Sequence, residues 1–240
     1  MGDMEVYQTL INGIEVTASY SREAIQNTFL PLLHDLTRLQ KEKGGRVLVM
    51  LAAPPGAGKT TLATYLSDLS AREDKVTPLQ VIGMDGFHRR QDYLLTHSVM
   101  QDGKEMRMVD IKGAPVTFDL ERLTEKIRNV AAGEVCGWPV YDRLLHNPVE
   151  DAVTVNGDIV LLEGNYLLLR EEGWDLLSSF ADFTIFLEAD RDLLRKRLID
   201  RRIKTGVPQE KAEGFVDFSD MRNAETVLAH SKQADLTIRL

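Results

Sequence analysis

Apolar positions recur along this chain in two rhythms. Between Ser21 and Gly45, Ile25, Phe29, Leu32, Leu33, Leu36 and Leu39 follow one another at helical spacing. Ser21 stands where an N-cap belongs, and glycine closes the segment after Lys43. Pro31 falls inside the pattern and predicts a kink or two short helices. Residues 1–45 therefore read as a helical lead-in. From Arg46 the rhythm changes to short continuous apolar runs. Arg46–Ala53, Leu79–Met84, Asp158–Glu163, Asp182–Glu188 and Asp235–Leu240 read as five buried strands. Helical stretches separate them: Thr60–Ser70, Asp119–Ala132, one starting at Asp190, and a region between Pro208 and Ser231. Strands that are apolar on both faces and alternate with helices form a parallel sheet covered on both sides. Residues 46–240 are thus expected as one α/β domain, with ligands bound beyond the carboxyl ends of the strands.

Composition narrows the setting. Cys136 is the only cysteine, which excludes an internal disulfide and a multi-cysteine zinc cluster and fits a reducing compartment. The start, MGDMEVYQTL, lacks the basic and apolar regions of a signal peptide, and no apolar run approaches the length of a membrane span. A cytoplasmic protein without a membrane partner is expected. The net charge of −8 opposes nonspecific binding to nucleic acid.

One motif carries chemistry without help from its neighbours. Ala53-Pro-Pro-Gly-Ala-Gly-Lys-Thr60 follows a predicted strand and precedes a predicted helix, the setting of a P-loop. Gly56 and Gly58 let backbone N–H groups turn inward around phosphate oxygens, and the helix N-terminus adds partial positive charge. Lys59 reaches toward the β- and γ-phosphates, while the Thr60 hydroxyl suits Mg²⁺. The expected nucleotide contacts are Pro55, Gly56, Ala57, Gly58, Lys59, Thr60 and Thr61, with ATP and Mg²⁺ as ligands. Ala53 departs from the glycine that usually opens the motif. No Asn/Thr-Lys-x-Asp segment for guanine is present, and no serine-glycine signature helix of a transporter ATPase. A kinase fits better, because an acid, Asp85, stands at the end of the second strand in Gly83-Met-Asp-Gly-Phe-His88. Taken alone, that aspartate reads equally well as an Asp-Gly turn.

With PPGAGKTT, MDGFH, Lys112-Gly-Ala-Pro-Val-Thr-Phe-Asp119, Tyr141-Asp-Arg143 and LLEGNY at 161–166, the chain resembles the phosphoribulokinase/uridine kinase/pantothenate kinase family of P-loop kinases. Within it, the chain looks most like the bacterial nucleoside, fructose or uridine kinase-like branch. The resemblance runs from about residue 46 to the C-terminus. It implies a three-layer P-loop NTPase sandwich whose strands, counted from Arg46, lie in the order 2-3-1-4-5. It also implies a catalytic role for Asp85, an acceptor site shaped by the Asp-Gly-Phe-His and Lys-Gly-Ala-Pro stretches, and often a homodimer. The acceptor is then a sugar, a nucleoside or a pantothenate-like alcohol; a nucleotide-binding regulator without turnover is the alternative.

Further candidates depend on placement. Glu163 ends the third strand, where it can hold Mg²⁺ through water, contact the acceptor, or merely cap the next turn. His88 is an acceptor contact through the resemblance. Tyr141 and Arg143 lie in an expected loop between Pro139 and Pro148, where Arg143 suits a polar or anionic acceptor group but equally a solvated position. On the helix from Asp190, Arg197 and Arg201 share an arc with Leu193, Leu194 and Leu198, which predicts phosphate contacts. Arg195 and Arg202 lie off that arc and suit ion pairs with local acids such as Asp200. Thr205-Gly-Val-Pro208 breaks the helix as the hinge of a helical lid would. Asn223 is a candidate contact on the lid's return.

Overall fold

The computed structural model describes residues 3–11, 13–101 and 103–239. It opens with a β-hairpin, β1 (Met4–Ile11) against β2 (Ile14–Ser21), with Met4 opposite Ser21 and Ile11 opposite Ile14. This corrects the expectation of helix throughout residues 1–45. Along β1 the half-buried positions are Glu5, Tyr7, Thr9 and Ile11, a period of two, and Gly13 turns the chain with φ +77°. Polar Glu5 and Thr9 on the inward face hide that alternation from a reading of hydrophobicity alone.

Helix begins where expected. Ser21 Oγ accepts from Ala24 N–H at 3.0 Å and caps α1 (Arg22–Ala24). One π-helical turn, Ile25–Phe29, carries the chain into α2 (Leu30–Lys43). Pro31 thereby falls in the first turn of α2, where its missing N–H is tolerated, and the expected kink takes the form of the widened turn.

Next come β3 (Val47–Ala52), α3 (Lys59–Arg72) and β4 (Leu79–Gly83). After α4 (Gln91–Thr96) and the small hairpin β5 (Ser98–Gln101) and β6 (Lys104–Arg107), α5 (Leu120–Ala131) follows behind its cap Asp119. A longer hairpin, β7 (Cys136–Asp142) and β8 (Asn147–Val155), precedes β9 (Ile159–Gly164) and β10 (Phe183–Glu188). The segment between Pro139 and Pro148, expected as a loop, is therefore the distal part of this hairpin. The chain closes with α6 (Arg191–Lys204), α7 (Gln209–Phe215), α8 (Met221–His230) and β11 (Leu236–Arg239). Leu240, the end of the expected fifth strand, lies outside the described residues.

The central sheet is parallel, in the order β4-β9-β3-β10-β11, which is the 2-3-1-4-5 order counted from Arg46. β3 explains the three layers. Val47, Val49 and Leu51 enter one core with Leu33 and Leu66, while Leu48 and Met50 enter the other with Leu123 and Ile127 of α5. All six residues of β3 are buried, so polar chemistry is confined to the strand ends. α6 and α7 meet through a third small cluster built on Leu198, Ile199, Ala212, Val216 and Met221. No helix among the described residues is long and apolar enough to cross a membrane.

The opening hairpin docks on α3. Tyr20 packs against Phe29 and Tyr65 with ring centroids 5.5 and 4.5 Å apart, and Tyr7 meets Tyr65 edge-on. Glu5 accepts from Tyr65 Oη at 3.1 Å and pairs with Arg72 at 2.7 Å. Because Tyr20 is buried in this cluster, Tyr20→Ala is expected to cost about 3 kcal/mol. Thermal unfolding should report the loss, and limited proteolysis should cut near Ser21 in the variant before it cuts the central sheet.

Candidate active site

The site is built at the carboxyl end of β3. Ala53 is fully buried, and its N–H donates to Gly164 O at 3.4 Å, so β3 and β9 stay together one residue past their ends. Its methyl group packs in the core on the α3 side, which accounts for an alanine where the motif usually has glycine. Gly56 and Gly58 then adopt φ of +84° and +95°. A side chain at Gly56 would meet Leu198 Cγ at 3.0 Å and the Leu194 carbonyl at 3.3 Å, so this glycine serves both the turn and the packing of the loop on α6. Gly58 caps α3, whose first residue is Lys59. The result is a helix N-terminus facing a loop, an anion cradle.

Two acids approach it from the neighbouring strands. Glu163 lies opposite Leu51 in the register of β9 on β3. Its Oε1 accepts from Thr60 Oγ1 at 3.0 Å, and Oε2 is 3.9 Å from Lys59 Nζ. Burial pushes the Glu163 carboxyl up from the ordinary range, against the pull of Lys59. Asp85 belongs to a single 3₁₀ turn, Met84–Phe87, that follows β4. Burial alone would raise it too, but the charges of His88, Lys59, Arg143 and Arg201 outweigh that and hold its carboxyl below the usual value. The two carboxylates are driven apart, the arrangement in which one remains a strong anion beside another that resists ionisation.

The β7–β8 hairpin covers the Asp85 turn. Trp138 Nε1 donates to Gly83 O at 2.8 Å, and a side chain at Gly86 would stand 2.0 Å from the Pro139 carbonyl. Only glycine fits there. Tyr141 and Arg143 enter the cleft from this hairpin, while Arg197 and Arg201 enter from α6. Arg197 Nη1 donates to Ala57 O at 3.1 Å. Among the described residues neither Arg197 nor Arg201 has a carboxylate ion-pair partner, whereas Arg195 pairs with Asp217 and Arg202 with Asp220. The off-arc arginines are paired as expected, though not with Asp200, which lines the cleft. The whole cleft has a volume of about 630 Å³.

The model of the phosphoribulokinase/uridine kinase family matches residues 48–238. The chain belongs to that family. Among its relatives, the uncharacterized protein YggC of Escherichia coli (strain K12) is 42% identical over 231 residues, covering 96% of this chain and 93% of YggC. Protein C227.14 of Schizosaccharomyces pombe, provisionally a uridine kinase, is 29% identical over 201 residues, with 81% of this chain and 83% of that protein covered. A crystal structure from Silicibacter sp. TM1040, provisionally a fructose transport system kinase, superposes with a TM-score of 0.72 at 31% identity, over 85% of this chain and 98% of that one.

Not every expected residue of this P-loop kinase meets the cleft. His88 stands behind Asp85: its Nδ1 is 2.9 Å from Asp85 O, and its ring packs on Phe118 at 3.9 Å. Asn223 is buried on α8 and lines a separate cavity of about 490 Å³ that also holds Gln101 and Arg222. The Lys-Gly-Ala-Pro stretch, which the resemblance assigns to the acceptor site, reaches it through Lys112, whereas the part played by the opening hairpin escapes a reading of the sequence. Lys112 donates to Tyr141 Oη at 2.5 Å and to Gln91 Oε1 at 2.8 Å, fixing Tyr141 on its strand. The opening hairpin also places Ile11, Ile14, Glu15, Val16 and Thr17 along the cleft. The Lys112 contact spans 29 residues and has no local signal; the hairpin's signal was its alternation.

Burial pushes the His88 imidazole below its ordinary 6.5, an effect that the opposing charge of Asp85 does not cancel. Below that pH the unfolded chain takes up a proton that the folded one resists, so stability is full above 6.5 and falls as the pH is lowered through it. The melting temperature should therefore drop between about pH 7.5 and about pH 5. His88→Asn keeps a polar group toward Asp85 O and should flatten that slope.

Proposed function

We propose that the chain transfers the γ-phosphoryl group of ATP to a hydroxyl group of a small molecule: a sugar, a nucleoside or a pantothenate-like alcohol. The observation that carries this reading is the meeting, in one cleft, of the anion cradle with Lys59 and an aspartate held ionised at the end of β4. The loop Pro55–Thr61 holds the phosphates by its amides, and Lys59 reaches the β- and γ-groups. Asp85 accepts the proton of the acceptor hydroxyl. The acceptor oxygen bonds to the γ-phosphorus as the bond from that phosphorus to the bridging oxygen breaks, and ADP leaves. Arg197 and Arg201 offset the charge that develops on the transferring group.

Thr60 and Glu163 present a hydroxyl and a carboxylate side by side, hard oxygen donors of the kind that suits Mg²⁺ shared with phosphate oxygens. When bound there, the ion would neutralise charge on the β- and γ-phosphates. Tyr141 and Arg143 orient the acceptor, and His88 supports Asp85 from behind. Thr205–Pro208, with Gly206 at φ +88°, is the hinge on which α6 and α7 close to exclude water. A regulator without turnover draws only on Ala53, whose methyl is accommodated in the core.

Asp85→Asn keeps the shape of the turn and removes the proton acceptor. Turnover should fall at least about 100-fold, with ATP affinity held within a few-fold of the unmodified chain. Near-full turnover in the variant removes the base. Mass spectrometry of a mixed panel of sugars, nucleosides and pantothenate should show one acceptor gaining a phosphoryl group; ATP binding with no product from any acceptor class counts against the kinase reading.

A further inference from the structure

The matched family residues begin at 48, after the opening hairpin. The hairpin nevertheless forms a wall of the cleft. Strand β1 fastens it: Glu5 pairs with Arg72, and Tyr7 Oη donates to Asp68, so β1 lies along one face of α3. β1 runs from Glu5 at the far end of α3 toward the helix N-terminus and the phosphate loop. β2 carries Tyr20, whose hydroxyl lies within the electrostatic reach of Arg197 on α6. Val16 and Thr17, further up the same strand, face the cleft together with Arg197 and Lys204.

The cleft therefore has three chemically different parts. Its centre is the glycine loop with Lys59, suited to phosphate. On the β4 side, two strands from β3, stand Asp85, Tyr141 and Arg143, suited to an alcohol. On the hairpin side, Ile11 and Ile14 lie opposite one another and Val16 lies on the same face, opposite Thr9, so the three offer one aliphatic surface to the cleft. Such a surface gives phosphate no partner and suits a flat heteroaromatic ring that packs on it.

Resting on the kinase reading above, we infer that the β1–β2 hairpin is the nucleoside-recognising wall of this cleft, with Ile11, Ile14 and Val16 packing on the adenine of the phosphate donor.

The test uses the full chain and two titrants, ATP with Mg²⁺ and inorganic tripolyphosphate with Mg²⁺, followed by calorimetry. The Ile14→Ser, Val16→Ser double variant should bind ATP at least about 10-fold more weakly and tripolyphosphate within about twofold of the unmodified chain. Leu10→Ser, on the outward face of the hairpin where Leu10 is 68% exposed, should change neither and controls for a loosened hairpin. Equal weakening of both titrants in the double variant, or unchanged ATP binding in it, overturns the inference while leaving the phosphate cradle standing. Binding of neither titrant by the unmodified chain overturns the phosphate-donor reading, and the inference with it.

Discussion

Glu163 is a carboxylate with 7% of its surface exposed, and the groups that make that position tolerable come from three separate elements. Thr60 and Lys59 reach it from the start of α3, β9 carries it, and Gly83 at the end of β4 leaves the room in which its Oε1 sits, since a side chain there would approach to 3.3 Å. A buried charge without such partners costs several kcal/mol. The positions of the phosphate loop, the central strands and the Asp85 turn are therefore mutually fixed: moving any one of them strands the carboxylate.

The same economy of space governs the opposite wall. The Asp85 turn can lie under β7 only because Gly86 has no side chain, and the Trp138 indole then ties β7 to the last carbonyl of β4. Among the described residues Asp85 has no carboxylate–cation pair of its own, so backbone packing holds its turn in place. The arginines follow a complementary logic. Those of α6 that turn toward α7 and the turn after it are neutralised by Asp217 and Asp220, whereas those facing the cleft retain their charge for a ligand.

Much of this was legible in the residues. The five strands of the parallel sheet, the phosphate loop between β3 and α3, the cap at Ser21, and the separation of Arg197 and Arg201 from Arg195 and Arg202 all follow from local pattern. What escaped detection depends on contacts between distant residues. β7–β8 interrupts its apolar alternation with Pro139, Asp142 and a run of acids, so its strands show only when paired. His88 enters as a site residue through the resemblance, but Phe118 draws its ring behind the cleft. Asn223 sits on the expected helix, yet the π-helical turn Val216–Asp220 changes the angle at which α8 presents its side chains.

The docking of β1 on α3 has a bearing on the order of synthesis. A lone two-stranded hairpin is marginal in water, and Tyr7 and Asp68 are separated by 61 residues of chain. β1 and β2 therefore have nothing to hold them until Tyr65 and Asp68 have also left the ribosome. A hairpin made before the phosphate loop and α3 becomes ordered only after both have been made.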